Sequence, residues 1–212
     1  WPILKKYGLI CAMTPSHSIG KGLNRVENHE ECLTKIRTAI DATNEAGFPN
    51  VICFSGNRAG MEDSEGLKNC ATAIKEVIRY AEQKNVTICM ELLNSKVNHP
   101  GYQCDHTAWG VAVCEKVDSP RVKLLYDIYH MQIMEGDVIR SIRRAAKWIG
   151  HYHTAGNPGR HDLDDEQEIN YRGVRKDLYR DSIRDVAEAY RVNFEELRDV
   201  HAETIEEFEE LG

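Results

Sequence analysis

Val122-Lys-Leu-Leu-Tyr-Asp127-Ile-Tyr-His130-Met-Gln132 is the stretch whose reading decides the fold. Its first half is apolar and β-prone, the pattern of a strand buried on both faces of a parallel sheet. Where that strand should end stands a carboxylate, Asp127, followed three residues on by an imidazole, His130. An ionised Asp is costly in an apolar setting unless it is paired or bound to a metal, so Asp127 needs a cation. Two other strand-like runs end on groups able to share one. Val86-Thr-Ile-Cys-Met90 leads to Glu91, and Trp148-Ile-Gly-His-Tyr152 leads to His153.

Outward from these runs the same alternation continues. Leu9-Ile-Cys-Ala-Met13 and Val51-Ile-Cys-Phe54 read as shorter apolar strands. Helical patterns separate the strands. One runs from Glu27 to Ala46 with Leu33, Ile36 and Ile40 on one face, closed by Gly47 and Pro49. Another runs from about Glu62 to Lys84 along a stripe of Leu67, Ala71, Ile74, Ile78 and Ala81, and a third from about His106 to Val117. Asp137 reads as the N-cap of a helix that buries Ile139, Ile142, Ala146 and Ile149. The first seven residues read as the tail of a helix. Strand then helix recurs at intervals of roughly 25 to 40 residues, the size of a βα unit. The expected class is therefore α/β with a parallel sheet and helical crossovers. Catalytic groups of such folds sit at the carboxyl ends of strands, where Glu91, Asp127 and His153 all fall. From Tyr171 onward the chain turns charged and helix-prone, with Asn193-Phe-Glu-Glu196 resembling a capping box and no strand pattern.

Composition narrows the function classes. With 212 residues, 42% hydrophobic and 29% charged, the chain has enough apolar material for a large core and too much for disorder. A net charge of −7 disfavours a life on phosphate backbones, so no nucleic-acid partner is expected. No apolar run of about 18 residues offers a membrane span, and the first residues lack the charged and apolar regions of a signal peptide. The chain opens on Trp1 rather than Met, which keeps a fragment or a processed product in view. Seven cysteines, an odd number with no C-x-x-C, read as reduced thiols packed as small core residues, which points to the cytoplasm and away from a zinc–thiolate site.

Taken singly, each candidate has a plainer alternative. Glu91 could cap the following helix, Asp127 could pair with a Lys or Arg, and His153 could be a core histidine, with His151 on the same face as a rival ligand. His130 reads equally well as a packed loop residue or a substrate contact. Arg160, in the loop Ala155-Gly-Asn-Pro-Gly-Arg160-His161, reads as a solvated charge if taken alone, and Asn94 is at home in any loop. Adjacent strands would correlate them. Together, two carboxylates and an imidazole suit one divalent cation, Mn²⁺ or Mg²⁺ ahead of Co²⁺ or Zn²⁺. Such an ion would hold a carbonyl and a hydroxyl oxygen while a carboxylate moves a proton between adjacent carbons through a metal-stabilised enediolate.

Met90-Glu91-Leu-Leu-Asn94, Leu125-Tyr-Asp127-Ile-Tyr-His130-Met-Gln132 and Gly150-His-Tyr-His153-Thr-Ala-Gly-Asn-Pro-Gly-Arg160-His161 resemble the hydroxypyruvate isomerase family, within the xylose-isomerase-like superfamily. The resemblance implies a (β/α)₈ barrel, of which strands two to six are recognisable over residues 1–174, with residues 175–212 as a helical tail outside the match. It implies Glu91, Asp127 and His153 as ligands of one divalent metal, with Glu91 also catalytic. It implies His130 and Arg160, with Asn94, as contacts to a small sugar or hydroxy-keto substrate. The family's fourth ligand and second catalytic glutamate, on an eighth strand, find no match after Tyr171. The reading is a metal-dependent isomerase or epimerase, compatible with a homo-oligomer. A catalytically inactive or truncated barrel is the alternative, and a metal-dependent endonuclease IV-like protein a weaker one.

Overall fold

The computed structural model describes residues 2–176. Five parallel strands form one sheet in the spatial order of the sequence: β1 (Thr14–Pro15), β2 (Asn50–Cys53), β3 (Thr87–Glu91), β4 (Val122–Asp127) and β5 (Ile149–His153). A strand order that never reverses means that every crossover steps the same way, the winding of a barrel rather than of a doubly wound sheet. Among the described residues the sheet is open, with β1 and β5 at its edges.

α1 (Pro2–Lys6) precedes the sheet, and the other helices follow its strands: α2 (His29–Ala46), α3 (Asp63–Gln83), α4 (Thr107–Val117), then α5 (Ile128–Met134) and α6 (Val138–Ala145), both after β4. α2 buries Leu33, Ile36 and Ile40 as the periodicity requires, and Gly47 ends it in the left-handed conformation at φ 75°. α3 buries Ala71, Ile74, Ile78 and Ala81, with Leu67 half-buried at the margin. Every residue of β3 is buried, as a central parallel strand covered on both faces must be. Six of the seven unpaired cysteines are buried and Cys11 is half-buried, so they pack as small hydrophobes. No helix among the described residues is long and apolar enough to cross a membrane.

Three expectations are corrected. The first strand is not residues 9–13 but the two residues that follow, because β2 offers its pairing positions Val51 and Ile52 to Thr14 and Pro15 and to no part of the apolar run. Ile10 consequently stands 81% exposed. Asp137 flanks α6 without capping it. At φ 45° it is left-handed, and its carboxylate turns to Arg140 at 3.0 Å. The buried face of α6 is Val138, Ile142 and Ala145, while Ile149 belongs to β5.

Residues 1–168 form one compact unit and residues from 169 belong to a second, of which 169–176 are described, helical from 171. The helical stretches expected beyond 176 lie outside the described residues.

Candidate active site

β3 and β4 are parallel neighbours whose last residues are Glu91 and Asp127, so both carboxylates emerge at the same rim. β5 reaches that rim by an irregularity. Leu124 pairs with Ile149 but Leu125 with His151, so Gly150 is left as an extra residue. Two steps on, Asp127 therefore faces His153; an unbroken ladder would set Tyr152 there. A Cβ on Gly150 would lie 2.7 Å from Lys123 Cβ, which explains why glycine occupies the bulge.

The three predicted ligands converge. Ligand atoms of Glu91, Asp127 and His153 all lie within 4.8 Å of one another. His153 Nδ1 is 3.3 Å from Glu91 Oε1 and 4.0 Å from Asp127 Oδ2. His151 is set aside from the cluster, its ring 5.4 Å from that of His153. The two oxygens of Asp127 divide their work. Oδ1 accepts the His130 backbone N–H at 3.1 Å, capping α5, whereas Oδ2 faces His153, His130 Nε2 at 3.6 Å and Arg160 Nη2 at 3.6 Å. The half-exposed Arg160 guanidinium also lies over the Tyr129 ring, 5.4 Å from its centre.

Burial dominates the electrostatics. It pushes the Asp127 carboxyl upward, with Glu91 adding to the rise, against the pull of the His130 N–H, Arg160 and His153. The hydrogen bond to Glu91 raises His153. Burial, with Arg160 beside it, depresses His130 to about 3 and keeps it neutral, so its approach to Asp127 is not an ion pair. Two carboxylates, one of them 1% exposed, thus share a partly buried imidazole and a half-exposed arginine. That charge balance and the oxygen–nitrogen donor set fit a single divalent cation.

A second layer holds this rim. Fully buried Tyr102 donates its hydroxyl to the Glu91 carbonyl (2.9 Å) and accepts the Ser55 N–H (3.0 Å). Asn94, also 0% exposed, lies against His130 with its amide wholly engaged by protein groups. His99 sets its ring 5.3 Å from His130 at the edge of the site. Sequence reasoning missed Tyr102, Asn98, Tyr129 and His99, and it missed α5. For α5 a signal existed: Asp127 followed by His130 has the spacing of an N-cap and its N3 residue.

The profile of the Xylose isomerase-like TIM barrel family matches residues 2–205. The chain belongs to that family. Among curated relatives it is 38% identical over 91 residues to a 2-oxo-tetronate isomerase of Cupriavidus necator, covering 43% of this chain and 34% of the relative. It is 32% identical over 145 residues to the hydroxypyruvate isomerase of Escherichia coli, covering 67% and 55% respectively. The chain thus spans between about a third and just over half of the length of these relatives. In fold, this xylose isomerase-like chain is similar to an AP endonuclease, family 2, from Brucella melitensis, with TM-score 0.77, 23% identity, and 83% and 70% of the two chains covered. It is also similar to a D-psicose 3-epimerase crystallised with D-fructose, with TM-score 0.70, 18% identity, and 82% and 62% covered.

Proposed function

We propose that this chain carries the site of a divalent-metal-dependent isomerase or epimerase acting on a small sugar or hydroxy-keto acid. The observation that carries the reading is the convergence of Glu91, Asp127 and His153 at one rim of the sheet, within 4.8 Å. These three residues would hold the ion, with Mn²⁺ or Mg²⁺ favoured by the carboxylates. An ion held by these residues would offset their two negative charges and supply a Lewis acid to polarise a substrate carbonyl. Glu91 takes and returns the proton on the carbon beside that carbonyl. Neutral His130 presents Nε2, buried and without a hydrogen-bond partner among the described residues, to a substrate oxygen. Arg160, on the exposed side, receives a hydroxyl or carboxylate oxygen. The names of the curated relatives, isomerases of 2-oxo-tetronate and hydroxypyruvate, support the substrate class.

The test is a Mn²⁺ titration of the chain and of Glu91→Ala by calorimetry, expecting binding by the first and at least tenfold weaker binding by the second. Equal affinities would refute the metal site. The activity arm offers hydroxypyruvate in deuterated water with Mn²⁺. Solvent deuterium entering the carbon beside the carbonyl supports proton transfer. Metal binding without exchange would favour an inactive derivative, since no second glutamate stands at a strand end of this cluster among the described residues.

A further inference from the structure

The amide of Asn94 fixes which nitrogen of His130 carries the proton. Its orientation follows from neighbours that have no choice of role. The backbone N–H groups of Val97 and Asn98 can only donate, and both lie on Asn94 Oδ1, at 3.0 and 2.8 Å. The other end of the amide must therefore be the NH₂. Its two hydrogens have two acceptors in reach, Asn98 Oδ1 at 2.7 Å and His130 Nδ1 at 2.6 Å. Asn98 is held in the accepting orientation by a second donor, since the Tyr129 hydroxyl gives to the same oxygen at 3.0 Å.

A nitrogen that receives a hydrogen bond holds a lone pair. His130 Nδ1 is then bare and the ring proton sits on Nε2. Nε2 is buried, has no hydrogen-bond partner among the described residues and lies 3.6 Å from Asp127 Oδ2. We infer that Asn94 is a positioning residue that locks His130 as the Nε2–H tautomer, a fixed neutral hydrogen-bond donor aimed at the substrate oxygen. The amide has no valence left for substrate, so Asn94 acts through His130. The inference deepens the isomerase reading and rests on it for the word substrate. The tautomer itself rests only on the hydrogen-bond chain.

This separates the two experimentally. Nitrogen-15 spectra of the full chain labelled at histidine, with the His130 signals assigned by their loss in His130→Gln, should show a pyridine-like Nδ1 and a pyrrole-like Nε2 without metal or substrate. The opposite pattern, or a mixture of the two, overturns the inference even if isomerase activity is found. Asn94→Asp keeps the shape and the Oδ1 acceptor but replaces the NH₂ by an acceptor oxygen. It should protonate Nδ1, and should lower kcat by at least tenfold with a smaller change in KM. A folded Asn94→Asp protein whose Nδ1 stays bare overturns the assignment. If that variant does not fold, the wild-type spectrum decides alone. A tautomer as stated with no isomerase activity would leave the lock intact and remove only its use.

Discussion

Removing one oxygen atom, in Tyr102→Phe, tests whether the rim is held from beneath. The phenol is fully buried, and burial pushes its pKa upward, so it stays protonated and able to donate. It takes the Ser55 N–H at 3.0 Å and gives to the Glu91 carbonyl at 2.9 Å, tying the end of β2 to the end of β3. Phenylalanine fills the same space without either bond. The orphaned buried N–H costs about 1–3 kcal/mol, and the lost bond to the carbonyl about 1 kcal/mol more. The sum, roughly 2–4 kcal/mol, corresponds to a Tm lower by on the order of 5–15 °C in a chain of this size. Urea and thermal unfolding followed by circular dichroism would measure it. Tyr80→Phe is the control, the same chemical change at a solvent-facing hydroxyl bonded to Asp41, expected to leave Tm close to that of the parent because water replaces the lost partner. If Tyr102→Phe fell within about 0.5 kcal/mol of the parent, the idea that this hydroxyl anchors Glu91 would be refuted.

Two further outcomes follow from named contacts. His17 receives the Phe54 N–H on Nε2 at 3.4 Å while Nδ1 meets the Ser18 and Lys21 carbonyls at 3.2 and 3.3 Å, so a second ring proton would confront the Phe54 N–H. Burial lowers its pKa below the ordinary 6.5. The folded state therefore binds fewer protons than the unfolded one, and the stability due to His17, complete above 6.5, is lost as pH falls through its folded value. Up to about 1.4 kcal/mol per pH unit belongs to such a group. His17→Gln should flatten the acid side of the stability profile, and parallel profiles would contradict the assignment. Gly150→Ala puts a Cβ 2.7 Å from that of Lys123. The substitution should cost about 1–3 kcal/mol and reduce the Mn²⁺-induced thermal shift; full stability with an undiminished shift would show that the bulge does not require glycine.

The fold was legible where period and length agreed. β4 and β5 end at Asp127 and His153, the ends read from the sequence. The convergence of Glu91, Asp127 and His153 was legible because a carboxylate or imidazole closing a strand needs a partner. What escaped the reading was set by contacts between distant residues. Nothing near Tyr102 announces that its hydroxyl serves Ser55, and nothing in Asn94 reveals that its amide is spent on His130 and two backbone N–H groups. The first strand failed for a related reason. An apolar run becomes a strand only where a neighbour can pair with it, and β2 pairs only with Thr14 and Pro15 on that side.

The choice between His151 and His153 shows what no periodicity argument could have settled. The two residues share a face of β5, and side chains of a strand repeat every second position. Register alone decides which of them stands beside Asp127, and the register is set two pairs earlier, by Gly150. Without the extra residue Tyr152 would stand opposite Asp127, and both imidazoles would move to neighbouring positions. The carboxylate is constrained as tightly from its own side. With Oδ1 committed to the N-terminus of α5, Asp127 keeps one oxygen, Oδ2, for the cluster and cannot rotate to follow a displaced partner without uncapping that helix. Geometry at this rim is thus fixed by a bulge in one strand and a cap on the next helix. Neither feature is itself chemical, and the convergence of Glu91, Asp127 and His153 depends on both.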